Sequence, residues 1–347
     1  LLVSVAVIGY LLNFAAHRLS AEATVLGLAR FLVLLAAWEF FANRAHTPRF
    51  LTSVGIGLAV ATSLLYLRHE VAVVTYPWKF GFGAACTIAI AGWLWRRGWS
   101  LGWLILLSPV HLALGSRNLA LSMMVVALAL SARQLRRVLG AALMPPLALG
   151  FLAAAVGAAS LLPTIMQTLG ASPTAVRKTE IQLQSSFGII GGGRPETVTG
   201  ILLLEDHLVL GVGDSVAPAQ VRRVASRVSR DLHELGTTRW SPGAPLPAHS
   251  HLVFDWLTGG VLSAALWIAL ASRCLRNLTG VSRLPRQQRP LAVLFSAMLL
   301  WDVLFSPLGG VQRVVTPMFA SVVWRALDKD SRERDARPER ISTRGIL

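Results

Sequence analysis

Residues 50–67 read FLTSVGIGLAVATSLLYL. The run carries no charge and no proline, and as a helix it is long enough to cross most of the ~30 Å hydrocarbon core of a bilayer. In lipid every backbone N–H and C=O must be bonded within the spanning structure, and a helix does this by itself. The apolar residues are continuous rather than alternating, which excludes a strand of a closed barrel. Outward from this stretch, runs of the same kind lie near 1–16, 24–42, 77–95, 99–115, 116–132, 139–162, 251–272, 290–306 and 311–327. The expectation is an all-α polytopic membrane protein with about ten transmembrane helices, in which the pair around Ser116 also reads as one bent segment. The opening LLVSVAVIGYLLNFAA has no basic leader and is followed by further spans, so it reads as a first membrane helix, whole or truncated, rather than as a signal peptide.

Composition agrees. The chain of 347 residues is 54% hydrophobic and only 14% charged, too little polar surface for soluble domains of that length. Yet 33 Lys and Arg against 17 Asp and Glu give a net charge of +16. A nucleic-acid binder would gather such cations on a polar domain, and no long polar domain exists, so nucleic acid is not an expected partner. The cations instead mark topology. Arg44 and Arg49, Arg96 and Arg97, Arg133, Arg136 and Arg137, the arginines between Arg273 and Arg289, and the tail from Lys329 to Arg344 fall in every second loop. By the positive-inside rule that side is the cytoplasm. Both termini are then cytoplasmic, and the one long loop faces outward. The organisation expected is an N-terminal bundle over 1–162, an extracytoplasmic loop over 163–250, further membrane helices over 251–327 and a basic, disordered tail over 328–347. The two cysteines, Cys86 and Cys274, supply neither a disulfide framework nor a CxxC metal site.

The long loop starts with a flexible stretch and then reads GIIGGG at 188–193, followed by Arg194-Pro195-Glu196. Pro at the first helical position with Glu just after it marks a helix start. The spacing predicts a helix to about Leu210, stopped by Gly211. A second helix over 217–235 places valines and leucines on one face and Arg222, Arg223, Arg227 and Arg230 on the other. It reads as packed on the bundle or lying in the interface, or as gathering anionic headgroups. A Pro-rich turn then delivers His249 to the next membrane helix.

Four residues in these segments stand out chemically. Arg117, in LALGSRNLAL, sits at or just below the outer surface and either snorkels to headgroups or faces an anion inside the bundle. Arg194 stands where a glycine run meets a helix start, so backbone N–H groups and the positive end of the helix dipole converge beside a guanidinium, an arrangement suited to phosphate. The alternative is an ordinary exposed cap residue, and no GKS or GKT follows to make a Walker motif. His249, at the start of a membrane helix, is either an interfacial cap or a neutral imidazole able to take a proton from a hydroxyl. Asp302, inside a span, is a functional candidate by default. His251 and Asp255 share a helix face and are expected to satisfy one another, and His207 reads as a helix-terminal surface residue.

Three segments together resemble the O-antigen ligase and O-antigen polymerase superfamily of bacterial membrane glycosyltransferases. LALGSRNLAL resembles the Ser-Arg signature with Ser116 and Arg117. GGGRPETVTGILLLEDHLVLGVG resembles the glycine-Arg-helix-GxG segment with Gly193, Arg194, Gly211 and Gly213. HSHLVFDWLTGGVLS resembles the His-Asn/Ser/Gln pattern followed nine residues on by Gly, with His249, Ser250 and Gly260. The match covers roughly 100–270. It departs from the pattern in lacking an aromatic a few residues after Arg194, in Leu208 where Pro often precedes the GxG, and in Ser263.

The resemblance implies a fold of the GT-C type in the bacterial cytoplasmic (inner) membrane. It also implies a polyprenyl-diphosphate-linked glycan as donor, undecaprenyl diphosphate being the expected carrier, and a glycan or lipid A-core as acceptor, with no metal and no cofactor. His249, Arg194 and Arg117 would be catalytic. Ser116, Gly193, Gly211, Gly213, Ser250 and Asp302 would bind substrate. Fixed guanidinium groups would stabilise the leaving diphosphate in place of Mg²⁺. The competing class is a transporter or flippase for a lipid-linked glycan, although no pair of related halves is visible. A Cys-dependent protease or transpeptidase is disfavoured because neither cysteine is expected near the outer site.

Overall fold

The structure is a computed structural model that describes residues 2–16, 19–42, 44, 47–68, 77–98, 100–139, 161–185, 194–213, 223–224, 228, 249–281, 284, 288–306 and 312–335. Helices are the only regular elements among the described residues. They are α1 (Leu2–Ala15), α2 (Ala21–Ala42), α3 (Pro48–Leu67), α4 (Gly83–Arg96, entered through a π turn at Trp78–Phe82), a 3₁₀ segment Leu101–Leu107 running into α5 (Ser108–Ala113), α6 (Arg117–Leu139), α7 (Pro173–Gln184), α8 (Pro195–Leu204), α9 (His251–Thr279), α10 (Arg289–Phe305) and α11 (Gln312–Asp335). A further helical stretch covers 161–168.

This is a membrane protein. Helices α2, α3 and α9 are long and apolar enough to cross a bilayer, and α2 and α3 expose Val25, Leu26, Leu32, Ile56, Val60 and Leu67 on their outward faces. Apolar faces of that extent suit lipid and not water. Helix α1, the pieces of 102–113 and the first half of α6 are apolar but shorter. The expected span 139–162 lies almost wholly outside the described residues, as do the glycine run 188–193, most of 217–235 and the Pro-rich turn. Of the second loop helix only three positions are described. Val224 and Val228 turn inward and Arg223 outward, as its pattern predicts.

Three expectations about local structure are corrected. The stretch opening the polar segment is not irregular but holds α7, which starts at Pro173 with the Val176 N–H donating to the Ser172 carbonyl at 3.1 Å. Helix α8 ends at Leu204, and the chain continues through turns to Gly211 instead of remaining helical. The tail is helical as far as Asp335.

Small residues let the helices touch. A Cβ added to Gly55 of α3 would lie 2.5 Å from the Ala89 nitrogen of α4, and one on Gly9 of α1 would lie 2.7 Å from the Gly259 carbonyl of α9. Such contacts substitute for the hydrophobic drive that helices lack in lipid. Helix α9 runs through the centre, packed on α1 and α10, with α10 against α11 and α11 against α2. Trp267, Phe295 and Phe319 fill this core.

Helix α9 is broken in the middle. Gly260 has φ 73° and ψ −172°, a conformation open in practice only to glycine. The backbone of 208–213 fills the break. Val261 N–H donates to the Val209 carbonyl (2.9 Å), and Val212 and Gly213 N–H both donate to the Leu257 carbonyl (2.7 and 2.9 Å). Trp256 Nε1 donates to the Leu208 carbonyl at 2.6 Å. Gly211, with φ 72°, has no room for a side chain, since a Cβ there would stand 2.3 Å from the Trp256 carbonyl. A strut from the polar segment is thus bonded into a central helix, and the pairing uses the backbone groups that the break releases.

One turn before the break, the apolar bundle holds a charge. Asp255 of α9 accepts from Arg30 of α2, from Tyr10 of α1 at 2.9 Å and from Trp267 Nε1. The Tyr10 hydroxyl also lies 2.8 Å from Thr258 Oγ1. His251 does not pair with Asp255. Its Nε2 faces Thr316 Oγ1 at 3.4 Å and its ring lies on Trp267, because the carboxylate is already taken by a cation from another helix.

Candidate functional site

The site forms where the starts of α6, α8 and α9 meet the end of α10. Arg194 is the N-cap of α8 and its carbonyl receives the Thr197 and Val198 N–H groups at 3.0 and 3.2 Å. The side chain leaves its own helix, and Nε donates to the Phe305 carbonyl at the C-terminus of α10, at 2.8 Å. A guanidinium is well placed there, since the carbonyl end of a helix is its negative pole. Asp302, one turn earlier on α10, is buried and acts electrostatically on Arg194. It also engages the Ser306 side chain. Burial lowers the pKa of the Arg194 guanidinium, and Glu196 and Asp302 pull it back up, so the group keeps its charge in a half-desolvated place.

His249 is set by its neighbour. Ser250 caps α9, its Oγ accepting from Val253 N–H at 3.1 Å and donating to the Val303 carbonyl of α10 at 3.0 Å. These two hydrogen bonds tie the first turn of α9 to the last turn of α10 and leave His249 at the rim, its side chain 44% exposed. Glu196 stands beside it, Oε2 lying 3.6 Å from Nδ1. This is ion-pair distance rather than a hydrogen bond. Glu196 is legible in the sequence only as a helix-start residue; that it faces His249 across 53 positions is a tertiary fact.

Arg117 reaches the same place from α6. A turn through Gly115, with φ 76°, breaks the chain after α5, and Ser116 N–H donates to the His111 carbonyl at 2.7 Å. His111 is itself fixed, receiving Trp78 Nε1 at 2.9 Å with Thr87 Oγ1 at 3.2 Å. The Arg117 guanidinium does not snorkel. Nη1 donates to Thr179 Oγ1 at 3.1 Å and Nη2 to Gln182 Oε1, both on α7. It lies close enough to Arg194 for the two like charges to act on each other.

The remaining sequence candidates divide. Ser116 is buried with its hydroxyl turned to Asn118. The N–H groups of Gly211 and Gly213 donate to the His207 and Leu257 carbonyls. They build the strut under the site. Gly193 lies outside the described residues. His207 lies among the turns after α8 and is half-buried, rather than at a helix terminus on the surface.

Beside the charges lies an apolar cavity of about 450 Å³, lined by Ile201 and Leu204 of α8, Ser250, Val253 and Trp256 of α9, and Phe305 of α10. The arrangement therefore offers two guanidinium groups, an accessible imidazole with a carboxylate behind it, and a hydrocarbon slot at their edge. Among the described residues no group of three or more His, Cys, Asp or Glu is placed to hold a metal ion. Cys274 is buried in the core, and Cys86 sits on α4 away from these groups. No protein-family model, no curated protein and no solved structure matches the chain.

Proposed function

We propose that the protein is a membrane glycosyltransferase of the O-antigen ligase and polymerase kind, using a polyprenyl-diphosphate-linked glycan as donor without a metal. The observation that carries this reading is the convergence of Arg117 and Arg194, from separate segments, near the exposed imidazole of His249, with an apolar cavity lined by the adjoining Ser250 and Phe305. A diphosphate ester of a long isoprenoid needs both halves of that site, cations for its head and hydrocarbon for its chain.

In this scheme an acceptor hydroxyl attacks the anomeric carbon from the side opposite the diphosphate, and its proton passes to Nε2 of His249. The carbon–oxygen bond to the diphosphate breaks with its electron pair going to the leaving oxygen, giving inversion. Arg117 and Arg194 stabilise the charge that gathers there, each worth about 10²–10³ in rate by analogy with single oxyanion donors. His249 contributes about 10²–10⁴ as base, held by Glu196. The acceptor is a second lipid-linked repeat or a lipid A-core. The same reading puts about ten spans in a bacterial cytoplasmic membrane, with both termini inside and α7 and α8 outside.

The alternative is a transporter, and the specific observation behind it is the broken helix α9, since broken helices build substrate sites in transporters. Weighing against it, the groups freed at Gly260 are bonded to the 208–213 strut and not left for a solute.

The test is transfer from a purified polyprenyl-diphosphate glycan, with wild type set against Arg194→Ala and His249→Ala. We expect losses of at least about 100-fold in each. Full activity in both variants refutes the site, and loss of wild-type activity with EDTA that Mg²⁺ restores refutes the metal-free mechanism. A cysteine placed at Asp206 in a Cys86→Ser background should react with an impermeant label from outside intact cells. Reaction only after permeabilisation reverses the topology.

A further inference from the structure

The chain contains two ways of holding a buried arginine. Arg30, in the apolar bundle, is in contact with a carboxylate, Asp255. That is the ordinary solution, because a desolvated cation is costly unless an opposite charge meets it. Arg117 is treated differently. Its two hydrogen-bond partners, Thr179 and Gln182, are neutral, and both are buried, at 0% and 4% exposure. Among the described residues no carboxylate lies within ion-pair distance of it. Its charged neighbour is another cation, Arg194.

The geometry of α7 sharpens the contrast. Thr179 and Gln182 are three apart and share a helix face. Thr179 Oγ1 donates its own proton to Met166 Sδ at 3.4 Å, so toward Arg117 it can only accept. Gln182 likewise presents its carbonyl oxygen. Both contacts aim the negative ends of dipoles at the guanidinium and fix its plane without neutralising it. The helix does carry an acid, Glu180, between the two positions, and it is turned to solvent.

We propose that Gln182, with Thr179, is a positioning residue that holds Arg117 by neutral contacts so that its full charge remains for the diphosphate of the donor. This rests on the donor reading given above. It assigns α7 a role in anion recognition, as the element that clamps one of the two cations. Two guanidinium groups kept close together, one with no acid in contact, form a site whose electrostatics are completed only when a multiply charged anion enters.

The decisive variant is Gln182→Glu. It has almost the same shape, keeps an oxygen in hydrogen-bond reach of Arg117 and adds the negative charge that a purely structural arginine would welcome. A structural role therefore predicts equal or higher thermal stability with binding unchanged. Cancellation of the reserved charge predicts equal or higher stability with binding lost. The probe is farnesyl diphosphate, titrated calorimetrically into the full chain in phosphatidylcholine nanodiscs. Gln182→Glu should weaken its affinity about 100-fold, the scale of one unit charge a few ångströms away in a partly screened site. In the transfer assay the donor KM should rise while the fraction of active protein stays constant.

Gln182→Met, neutral and without the acceptor, should weaken affinity about tenfold, the scale of one hydrogen bond. It serves as the deciding variant should the glutamate lower the melting temperature. If Gln182→Glu folds and binds within threefold of wild type, or if Gln182→Met does so where the glutamate is unstable, the inference is overturned and the donor reading stands. Wild-type protein that neither binds farnesyl diphosphate nor transfers glycan overturns both.

Discussion

Replacing Gly260 by alanine adds one methyl group at the break in α9, and the surroundings of that group define the cost. The backbone there has φ 73° and ψ −172°, which carries a penalty of about 1–3 kcal/mol for any residue with a Cβ. The added carbon would lie 2.3 Å from the Val209 carbonyl and 2.8 Å from the Leu210 carbonyl carbon. Both are main-chain atoms and cannot swing aside as a flexible side chain would. The strut must therefore withdraw, which loosens the Val261, Val212 and Gly213 hydrogen bonds across the break. Three such bonds at about 0.5–1.5 kcal/mol each bring the total to roughly 3–7 kcal/mol. Gly57 on α3 is the matched control, since a Cβ there meets nothing within 4 Å and alanine should stabilise the helix by up to about 1 kcal/mol. Thermal unfolding of detergent-purified protein, followed by reaction of Cys274 with a thiol dye, reads both. We expect Gly260→Ala to lower the midpoint by on the order of 10 °C and Gly57→Ala to leave it level or raise it. Equal midpoints for the two variants would refute the account of 208–213 as a strut bonded into the break.

Two further outcomes follow from the charges. Arg30→Met should destabilise the protein by about 3–5 kcal/mol because Asp255 is left buried and unpaired, while Arg30→Met with Asp255→Asn should recover most of that loss; equal destabilisation by single and double variants in the same unfolding assay would deny the ion pair its role. Arg194→Lys should make transfer fall as pH rises. Burial disfavours the charged form and so pulls a cation's pKa down, as it does for Arg194; a lysine starts about two units lower and should shed its proton, and with it its hold on the diphosphate, at a pH where wild type stays charged. A pH-independent ratio of kcat/KM between the two proteins from pH 7 to 10 would contradict this.

What the sequence could disclose depended on whether a feature has a local cause. The apolar run 50–67 needs only its own residues to become a helix, and α3 covers it as Pro48–Leu67. The same holds for the start of α8 at Arg194-Pro195, where Pro fixes φ and the next residues do the rest. The end of α8 was illegible, because helix propensity continues past Leu204 and it is the bonding of 208–213 to α9, nearly fifty residues on, that pulls the chain out of the helix. Gly211, Gly213 and Gly260 were visible as a spacing, and their reason was not. They are two sides of one backbone contact, so no window around either shows it. Helix α7 did carry a local signal, Ser172 before Pro173, outweighed by the polar composition of the stretch.

The candidate site shows the same division, and the division bears on where function is written. The side chains that carry charge or a transferable proton, Arg117, Arg194, His249 and Asp302, stand out in a chain this apolar because each one there requires a reason. Glu196, Thr179 and Gln182 do not stand out, since such residues are unremarked in any polar segment. Yet these groups decide what the conspicuous ones can do. Glu196 puts a carboxylate 3.6 Å from Nδ1 of His249. Thr179 and Gln182 hold Arg117 without cancelling it. Had α7 presented Glu180 instead of Gln182 to that guanidinium, the same arginine would be a structural ion pair like Arg30 with Asp255, and the sequence around Arg117 would read no differently. The identity of a cation is thus a local fact, whereas its availability is set by a helix more than fifty residues away.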